Sequence, residues 1–117
     1  MAVTPQDTLA HLRRLEVARL EAGADRARRL RACLPEAVRR LRERGARRVW
    51  LFGSLAEGRA RATSDVDLGV EGLPDVGYFE VLGDMMGLFG CAVDLVRLEA
   101  ASDSLRERIL SSGEEQP

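Results

Sequence analysis

The stretch that decides the fold is residues 49–68, VWLFGSLAEGRARATSDVDL. Val49–Phe52 is continuously apolar and β-prone up to Gly53, which is typical of a strand covered on both faces. A short helix can begin at Ser54, and a polar loop follows. Residues 65–70, DVDLGV, then alternate acidic and aliphatic side chains until Gly69, which predicts a half-buried strand.

The sequence after this stretch continues the alternation of helix and strand. Pro74 opens a predicted helix that ends at Gly90, a strand over 91–96 carries Asp94, and a last helix begins near Ser102. The residues predicted to face inward on the two helices are Phe79, Leu82, Met86, Phe89, Leu105 and Ile109. The prediction is an α/β (α+β) protein with a mixed sheet of about three to four strands packed by helices.

The segment before the stretch is predicted to be helical. Thr4, Pro5 and Asp7 have the form of a helix start, and apolar side chains recur on one side at Leu9, Leu12, Leu20, Ala27 and Leu30. A helix over 5–34 would be about 45 Å long, against about 35 Å for a globule of this size, so it must bend near Gly23 or project. Pro35 is predicted to open a second helix that stops at Gly45. The expected organisation is an N-terminal helical extension (1–34), a core domain (35–111) and a frayed tail (112–117).

Composition restricts the possible classes of protein. A chain of 117 residues with 45% hydrophobic and 32% charged residues is expected to fold as one compact unit. All 18 basic residues are Arg, which excludes chemistry that needs a Schiff base or a phosphate-binding lysine. The sequence has no apolar run long enough for a membrane span, so we expect a cytoplasmic protein that does not bind membranes. Cys33 and Cys91 are interpreted as free thiols, with a single disulfide as the alternative.

Charge is divided along the chain. Residues 1–48 hold 13 Arg and 6 acids (13 − 6 = +7), and residues 49–117 hold 5 Arg and 13 acids (5 − 13 = −8). The basic part suggests a surface for a partner protein or for a second copy of the chain, and the alternative is a solvated, Arg-rich helix face. Nucleic acid is a weaker interpretation, because no aromatic residues are interleaved with the arginines.

Three acids mark a candidate metal site. Asp65 and Asp67 are two apart on a predicted strand, so both carboxylates leave the same face about 6 to 7 Å apart and repel unless a cation lies between them. Asp94 interrupts an apolar strand, which is disfavoured unless the charge is compensated. Three carboxylates at one place can bind one or two Mg²⁺ and orient a phosphoryl group. The alternatives are a turn or cap role for Asp65 and a salt bridge for Asp94.

Gly53 and Ser54 form a candidate phosphate-binding turn. The glycine permits a tight turn and a close approach of a ligand to the backbone, and the start of the next helix offers N–H groups and the Ser54 hydroxyl. A plain helix N-cap is the alternative for Ser54. A P-loop is rejected, because Arg59 and Ala60 stand where that motif needs Lys and then Ser or Thr. The single histidine, His11, gives no support to a catalytic triad or a histidine zinc site.

Gly53-Ser54, ten intervening residues, Asp65-Val66-Asp67 and the later Val93-Asp94-Leu95 strand together resemble the signature of the DNA polymerase beta nucleotidyltransferase superfamily. The short length and the forms Leu-Phe-Gly-Ser-Leu-Ala-Glu-Gly and Ser-Asp-Val-Asp-Leu are most similar to its minimal nucleotidyltransferases. These are antitoxins paired with HEPN-domain ribonuclease toxins. The resemblance covers roughly residues 35–110.

The resemblance implies a site and an activity. It implies that Gly53 and Ser54 bind the triphosphate of ATP and that two Mg²⁺ are bound by Asp65, Asp67 and Asp94. It also implies transfer of AMP to a tyrosine hydroxyl of a HEPN toxin, which silences the toxin. From their position, Arg59 and Arg61 are candidates to cover the phosphates, with exposed loop charge as the alternative. Two other functions stay open: a noncatalytic module that masks a toxin, and a nucleotidyltransferase acting on another acceptor.

Overall fold

The computed structural model describes residues 3–117, and the first two residues of the predicted extension lie outside that range. The described residues form a mixed four-stranded sheet in the order β3-β2-β1-β4. The strands are β1 (Arg48–Phe52), β2 (Val66–Glu71), β3 (Val93–Arg97) and β4 (Glu114–Glu115). β1 is antiparallel to β2 and to β4, whereas β2 and β3 are parallel. The α+β class with a mixed sheet is therefore confirmed.

Helix α1 runs without interruption over Pro5–Glu43, so the second helix predicted to start at Pro35 is wrong. A proline inside a helix removes one backbone hydrogen bond and costs about 3 kcal/mol. Here the ring of Pro35 is on the exposed side, while Leu34 and Val38 on either side of it are buried. The apolar stripe that α1 packs on the core continues through the proline, and this packing outweighs the local preference for a break.

The first half of α1 projects from the globule instead of bending at Gly23. The helix begins in a capping box in which Asp7 N–H donates to Thr4 Oγ1 (3.2 Å) and Thr4 N–H donates to Asp7 Oδ2 (3.2 Å). Every residue from 3 to 21 is exposed, and Gly23 is the first buried one. The principal extents of 64 × 29 × 23 Å reflect this projection. We refer to residues 3–22 as the arm.

The remaining helices cover the two faces of the sheet. Helix α3 (Tyr78–Phe89) and the second half of α1 pack on one face, and α4 (Asp103–Ser112) packs on the other, where Ile109 is fully buried. The main core lies between the sheet, α1 and α3, and includes Leu41, Leu51, Leu68 and Met85. A four-residue helix, α2 (Gly53–Ala56), follows β1 directly.

Helix α3 starts later than predicted and faces the core with a partly different set of residues, although the inward prediction for Phe89 is confirmed. It begins at Tyr78, after a turn in which Gly77 has φ of +79°. Val81, Met85 and Phe89 are its buried residues, while Phe79 is 82% exposed and Met86 is exposed. Phe79 and Met86 were therefore wrongly predicted to face inward. The inward prediction for Ile109 in α4 is confirmed.

The chain end is part of the sheet, so the predicted frayed tail is also wrong. β4 pairs with β1, with Trp50 opposite Glu115 and Leu51 opposite Glu114. Arg31 of α1 forms a bidentate ion pair with Glu114 (2.9 and 3.0 Å). A strand of two residues is too short to show any alternation, and this ion pair and the β1 ladder hold it in place.

The opposite net charges of the two halves of the chain are largely compensated by ion pairs between the halves. Arginines that follow the arm pair with acids from the second half of the chain, in the pairs Arg31–Glu114, Arg40–Asp84, Arg44–Glu80, Arg47–Glu71 and Arg48–Glu115. The arm itself has three Arg and three acids, and its charges sum to zero (3 − 3 = 0). The predicted basic docking surface therefore does not extend along the arm.

Candidate active site

The turn after β1 brings Gly53 against the carboxylate of Asp67. Gly53 has φ of +75°, a conformation that L side chains rarely adopt. A Cβ placed on this residue would lie 2.2 Å from Asp67 Oδ2 and 2.9 Å from Asp67 Cγ. The position needs glycine for two reasons, its backbone conformation and the space that the carboxylate occupies.

Asp67 and Asp94 stand side by side on neighbouring strands. They are register partners in the parallel pair of β2 and β3, and Phe52 faces Asp67 from β1 on the same row. Directly opposed side chains share one face of a sheet. The two carboxylates therefore project together on the α4 face, with Asp65 exposed just before β2 begins.

Burial and neighbouring charges both act on the carboxylate of Asp67. Its pKa is raised, first by burial and then by the negative charges of Asp94 and Asp65, and the positive charge of Arg108 opposes the shift. Burial and like charges disfavour the ionised carboxylate. The negative charges of Asp94 and Asp65 thus both act on Asp67.

The donor set of this cluster fits a hard divalent cation. Mg²⁺ prefers oxygen ligands and is usually bound through one or two carboxylates together with substrate phosphates. Gly53 leaves a space that a side chain would fill, directly beside Asp67 Oδ2. Among residues 3–117, no three acid, His or Cys side chains are already drawn together as a metal centre.

Ser54 is not the N-cap of α2, which excludes the alternative role considered for it. The N-cap position belongs to Phe52, and within the described residues no side chain makes a capping hydrogen bond there. Ser54 is half-buried, one residue from the Gly53 turn. The phosphate-binding role of Ser54 stays a prediction.

The loop that carries Arg59 and Arg61 is fixed to α1. Gly23 approaches it so closely that a Cβ there would lie 2.2 Å from the Ala60 carbonyl oxygen. Arg26 Nε donates to the Ser64 carbonyl (2.6 Å). Arg59 is exposed and forms an ion pair with Glu57, and Arg61 is exposed as well. The structure does not place either arginine against the acids, so their phosphate-binding role stays a prediction.

Arg108 is a candidate site residue that the sequence reasoning missed. It lies on α4, next to the buried Ile109, and its positive charge acts on Asp67. Ile109 Cγ2 would be 3.0 Å from a Cβ on Gly69, so α4 lies close over the middle of the sheet and carries Arg108 near the acid row. The only signal in the sequence was its position beside an inward-facing isoleucine, and this requires knowing which face of the sheet α4 covers.

A groove of about 530 Å³ borders β3, the strand at the free edge of the sheet beyond Asp94. Its lining includes Tyr78, Phe79, Leu95 and Leu105. The Tyr78 hydroxyl donates to the Leu95 carbonyl (2.5 Å). The pKa of Tyr78 is raised by burial and by the charge of Asp94. Leu95 of the lining follows Asp94 in β3, so the groove borders the strand that carries this acid.

The family model described as polymerase beta, nucleotidyltransferase, matches residues 40–115. That range contains the Gly53 turn and all three acids. The chain belongs to this family. The resemblance seen in the sequence is therefore confirmed, and α1 as far as Arg39 lies before the matched range. No curated protein sequence matches the chain.

Solved structures of this nucleotidyltransferase type share the fold. A protein described as a minimal nucleotidyltransferase is 32% identical, with a TM-score of 0.67 over 74% of this chain and 92% of that chain. A chain of a toxin-antitoxin complex with AMP-PNP is 26% identical, with a TM-score of 0.61 over 67% of both chains. A third match, 22% identical, comes from a complex of a tri-AMPylated Shewanella oneidensis HEPN toxin with an MNT antitoxin (TM-score 0.59, 74% of this chain and 70% of that chain). At that identity it shows the fold alone.

Proposed function

We propose that this nucleotidyltransferase is a cytoplasmic antitoxin that transfers AMP from ATP to a tyrosine hydroxyl of a HEPN ribonuclease toxin and thereby neutralises it. The observation that carries the proposal is the pairing of Asp67 with Asp94 on adjacent strands, beside the Gly53-Ser54 turn. This arrangement matches what a phosphoryl-type transfer needs, a phosphate-binding turn next to paired carboxylates.

The solved relatives support two parts of the proposal, the use of ATP and the transfer of AMP to a HEPN toxin. The 26%-identical relative is part of a toxin-antitoxin complex with AMP-PNP, an analogue of ATP. The tyrosine acceptor is suggested by the resemblance of the motifs, and an AMPylated HEPN toxin is present in a complex with a protein of the same fold. For this chain, the acceptor and the antitoxin role are our proposal.

Each site residue has a role in the proposed reaction. The Gly53 turn and the Ser54 hydroxyl bind the triphosphate, and Asp65, Asp67 and Asp94 would hold Mg²⁺. Bound Mg²⁺, as two ions, would neutralise the triphosphate and make the acceptor hydroxyl more acidic. Arg108 lies where its charge can assist at the phosphates. Arg59 and Arg61 can cover the triphosphate when the ion pair of Arg59 with Glu57 opens.

The bond changes are those of an in-line displacement. The acceptor oxygen forms a bond to the α-phosphorus of ATP, and the bond from that phosphorus to the bridging oxygen of the β-phosphate breaks. Pyrophosphate leaves with the electron pair, and the hydroxyl proton leaves on the side of Asp94. The acceptor must therefore approach from the side opposite the pyrophosphate.

We infer from the order of the strands that the acceptor binds at the groove beside β3. The phosphate-binding turn follows β1, the acids are on β2 and β3, and the groove lies beyond β3. Because attack and departure are in line, a leaving group on the β1 side requires an acceptor on the β3 side. The exposed Phe79 ring and the apolar groove behind it fit a protein segment that presents an aromatic hydroxyl.

Intact-mass spectrometry of a purified HEPN toxin tests the proposal directly. With this protein, ATP and Mg²⁺, the toxin is expected to gain the mass of one or more AMP groups on tyrosine and to lose ribonuclease activity. Asp67→Asn should abolish the transfer, and chelation of the metal should do the same. Asp84→Asn is the matched control, because Asp84 lies on the exposed side of α3, away from the site. This substitution should leave transfer intact.

The same experiment decides among the alternatives. A toxin that is inhibited without any gain of mass, and equally by Asp67→Asn, would show a noncatalytic masking module. Toxin that is neither modified nor inhibited, while ATP is still turned over with another hydroxyl compound, would show a different acceptor. Either result would overturn the proposed function.

A further inference from the structure

The arm exposes large aliphatic side chains that nothing in the described part of the chain covers. Leu9, Leu12 and Leu20 are 48%, 55% and 65% exposed, and Leu15 and Val17 are exposed as well. Leu9, Leu12, Glu16 and Leu20 follow one another at spacings of three and four residues, which places them on one side of the helix. That side continues the stripe by which Leu30, Leu34 and Leu41 pack on the core.

The charges of the arm favour pairing with the arm of a second copy of the chain. Its acids are Asp7, Glu16 and Glu21, its bases are Arg13, Arg14 and Arg19, and together they cancel. A surface that binds nucleic acid or an acidic protein carries a net positive charge. A neutral helix with an apolar seam and both signs of charge is typical of helices that pair with helices of the same kind.

We propose that the arms of two copies of this chain pair as antiparallel helices and make the protein a dimer. The register that best satisfies the side chains sets residue i opposite residue 29 − i of the other copy. Leu9 then faces Leu20. Arg13 faces Glu16, so the one acid within the apolar seam is opposite a base. This proposal is independent of the proposed function, because no residue of the acid cluster takes part in it.

The antiparallel direction follows from charge and from shape. In a parallel pair in register, each residue faces its own copy, so Arg13 would oppose Arg13 and Glu16 would oppose Glu16. Like charges at such positions destabilise a helix pair. A parallel pair would also set both globules side by side at the end where Gly23 meets Ala60, whereas an antiparallel pair places them at opposite ends.

Light scattering coupled to gel filtration measures the dimer. The full chain is expected at about twice its mass of 12.9 kDa. Leu12→Glu places a charge in the seam and should weaken dimerisation at least about tenfold, which is about 1.4 kcal/mol. Ala18→Glu introduces the same side chain on the opposite side of the helix and should leave the dimer intact. Circular dichroism and nucleotide binding serve to show that both variants fold.

A charge exchange tests the register and the direction. Arg13→Glu and Glu16→Arg, each alone, create like charges across the antiparallel seam and should weaken the dimer. The double variant restores opposite charges there and should recover dimerisation. In a parallel pair the double variant would leave like charges opposed and give no recovery.

Three results would overturn the proposal. One is a chain that remains monomeric at every concentration. Another is a dimer that Leu12→Glu does not weaken, since its interface would lie elsewhere. The third is a monomer whose binding to a toxin is lost in Leu12→Glu, because the arm would then be covered by an unlike protein.

Discussion

Replacing Gly53 by alanine should damage the site far more than the fold, and Gly58 provides the matched control. The two glycines have nearly the same backbone, with φ of +75° and +72°. A left-handed conformation costs an L residue about 1–2 kcal/mol, so both alanine variants should lose that much stability. At Gly58, a Cβ meets no described atom within 4 Å, whereas at Gly53 it would lie 2.2 Å from Asp67 Oδ2.

The difference between the two variants isolates the contact with Asp67. To admit the new methyl group, the carboxylate must withdraw by roughly 1 Å, and a displacement of that size costs about a hundredfold in activity. We therefore expect similar melting temperatures for Gly53→Ala and Gly58→Ala, but kcat/KM about a hundredfold lower for Gly53→Ala. Steady-state nucleotidyl transfer and calorimetry of Mg-ATP binding measure this. Equal activity in the two variants would refute the geometry that we assign to the turn.

The remaining predictions concern the acid cluster, the groove and the chain end. The pKa of Asp67 is raised in the folded protein, so ionisation of this carboxyl lowers the stability of the fold as pH rises through that pKa. Asp67→Asn should therefore raise the melting temperature of the metal-free protein near about pH 7, and this gain should vanish towards about pH 4. A gain in melting temperature that stays constant between these two pH values would show that the raised pKa of Asp67 is not its cause. Phe79→Ala should raise KM for the protein acceptor while Mg-ATP affinity and stability stay unchanged, since the ring is 82% exposed; Val76→Ala, an equally exposed neighbour outside the groove lining, is the control. Glu114→Ala should cost up to about 1 kcal/mol, because its ion pair with Arg31 is partly exposed, and chemical denaturation should show no further loss when Arg31→Ala is already present.

The pairing of Asp67 with Asp94 could be predicted from the sequence because each of these acids interrupts an apolar strand pattern. The charges of Asp67 and Asp94 then had to be relieved by a bound cation or by protonation of one carboxylate, wherever the strands paired. The contact between Gly53 and Asp67 could not be predicted in the same way. It depends on β1 and β2 being antiparallel neighbours with Phe52 opposite Asp67, and strand order is a property of the whole fold.

The errors in the prediction arose where packing overrides a local rule. Pro35 is a strong local signal for a helix start, yet the buried side chains on both sides of it keep α1 continuous. In α3, placing the start at Pro74 instead of Tyr78 favoured Phe79 and Met86 over Val81 and Met85 as inward residues. These two pairs of residues lie on adjacent sides of the helix, and only the position of the neighbouring strand decides which side faces the core.

The continuity of α1 has a consequence for its motions. Its backbone is one helix from Pro5 to Glu43, but tertiary contacts support it only from Gly23 onward. Isolated helical segments of this length are marginal in water. In a monomer, amide hydrogen exchange should therefore be fast over the arm and slow around Leu34 and Leu41, with the boundary near Gly23. Gly23 also touches the loop of Arg59 and Arg61, so the place where the helix gains its stability adjoins the loop that joins the Gly53 turn to Asp65.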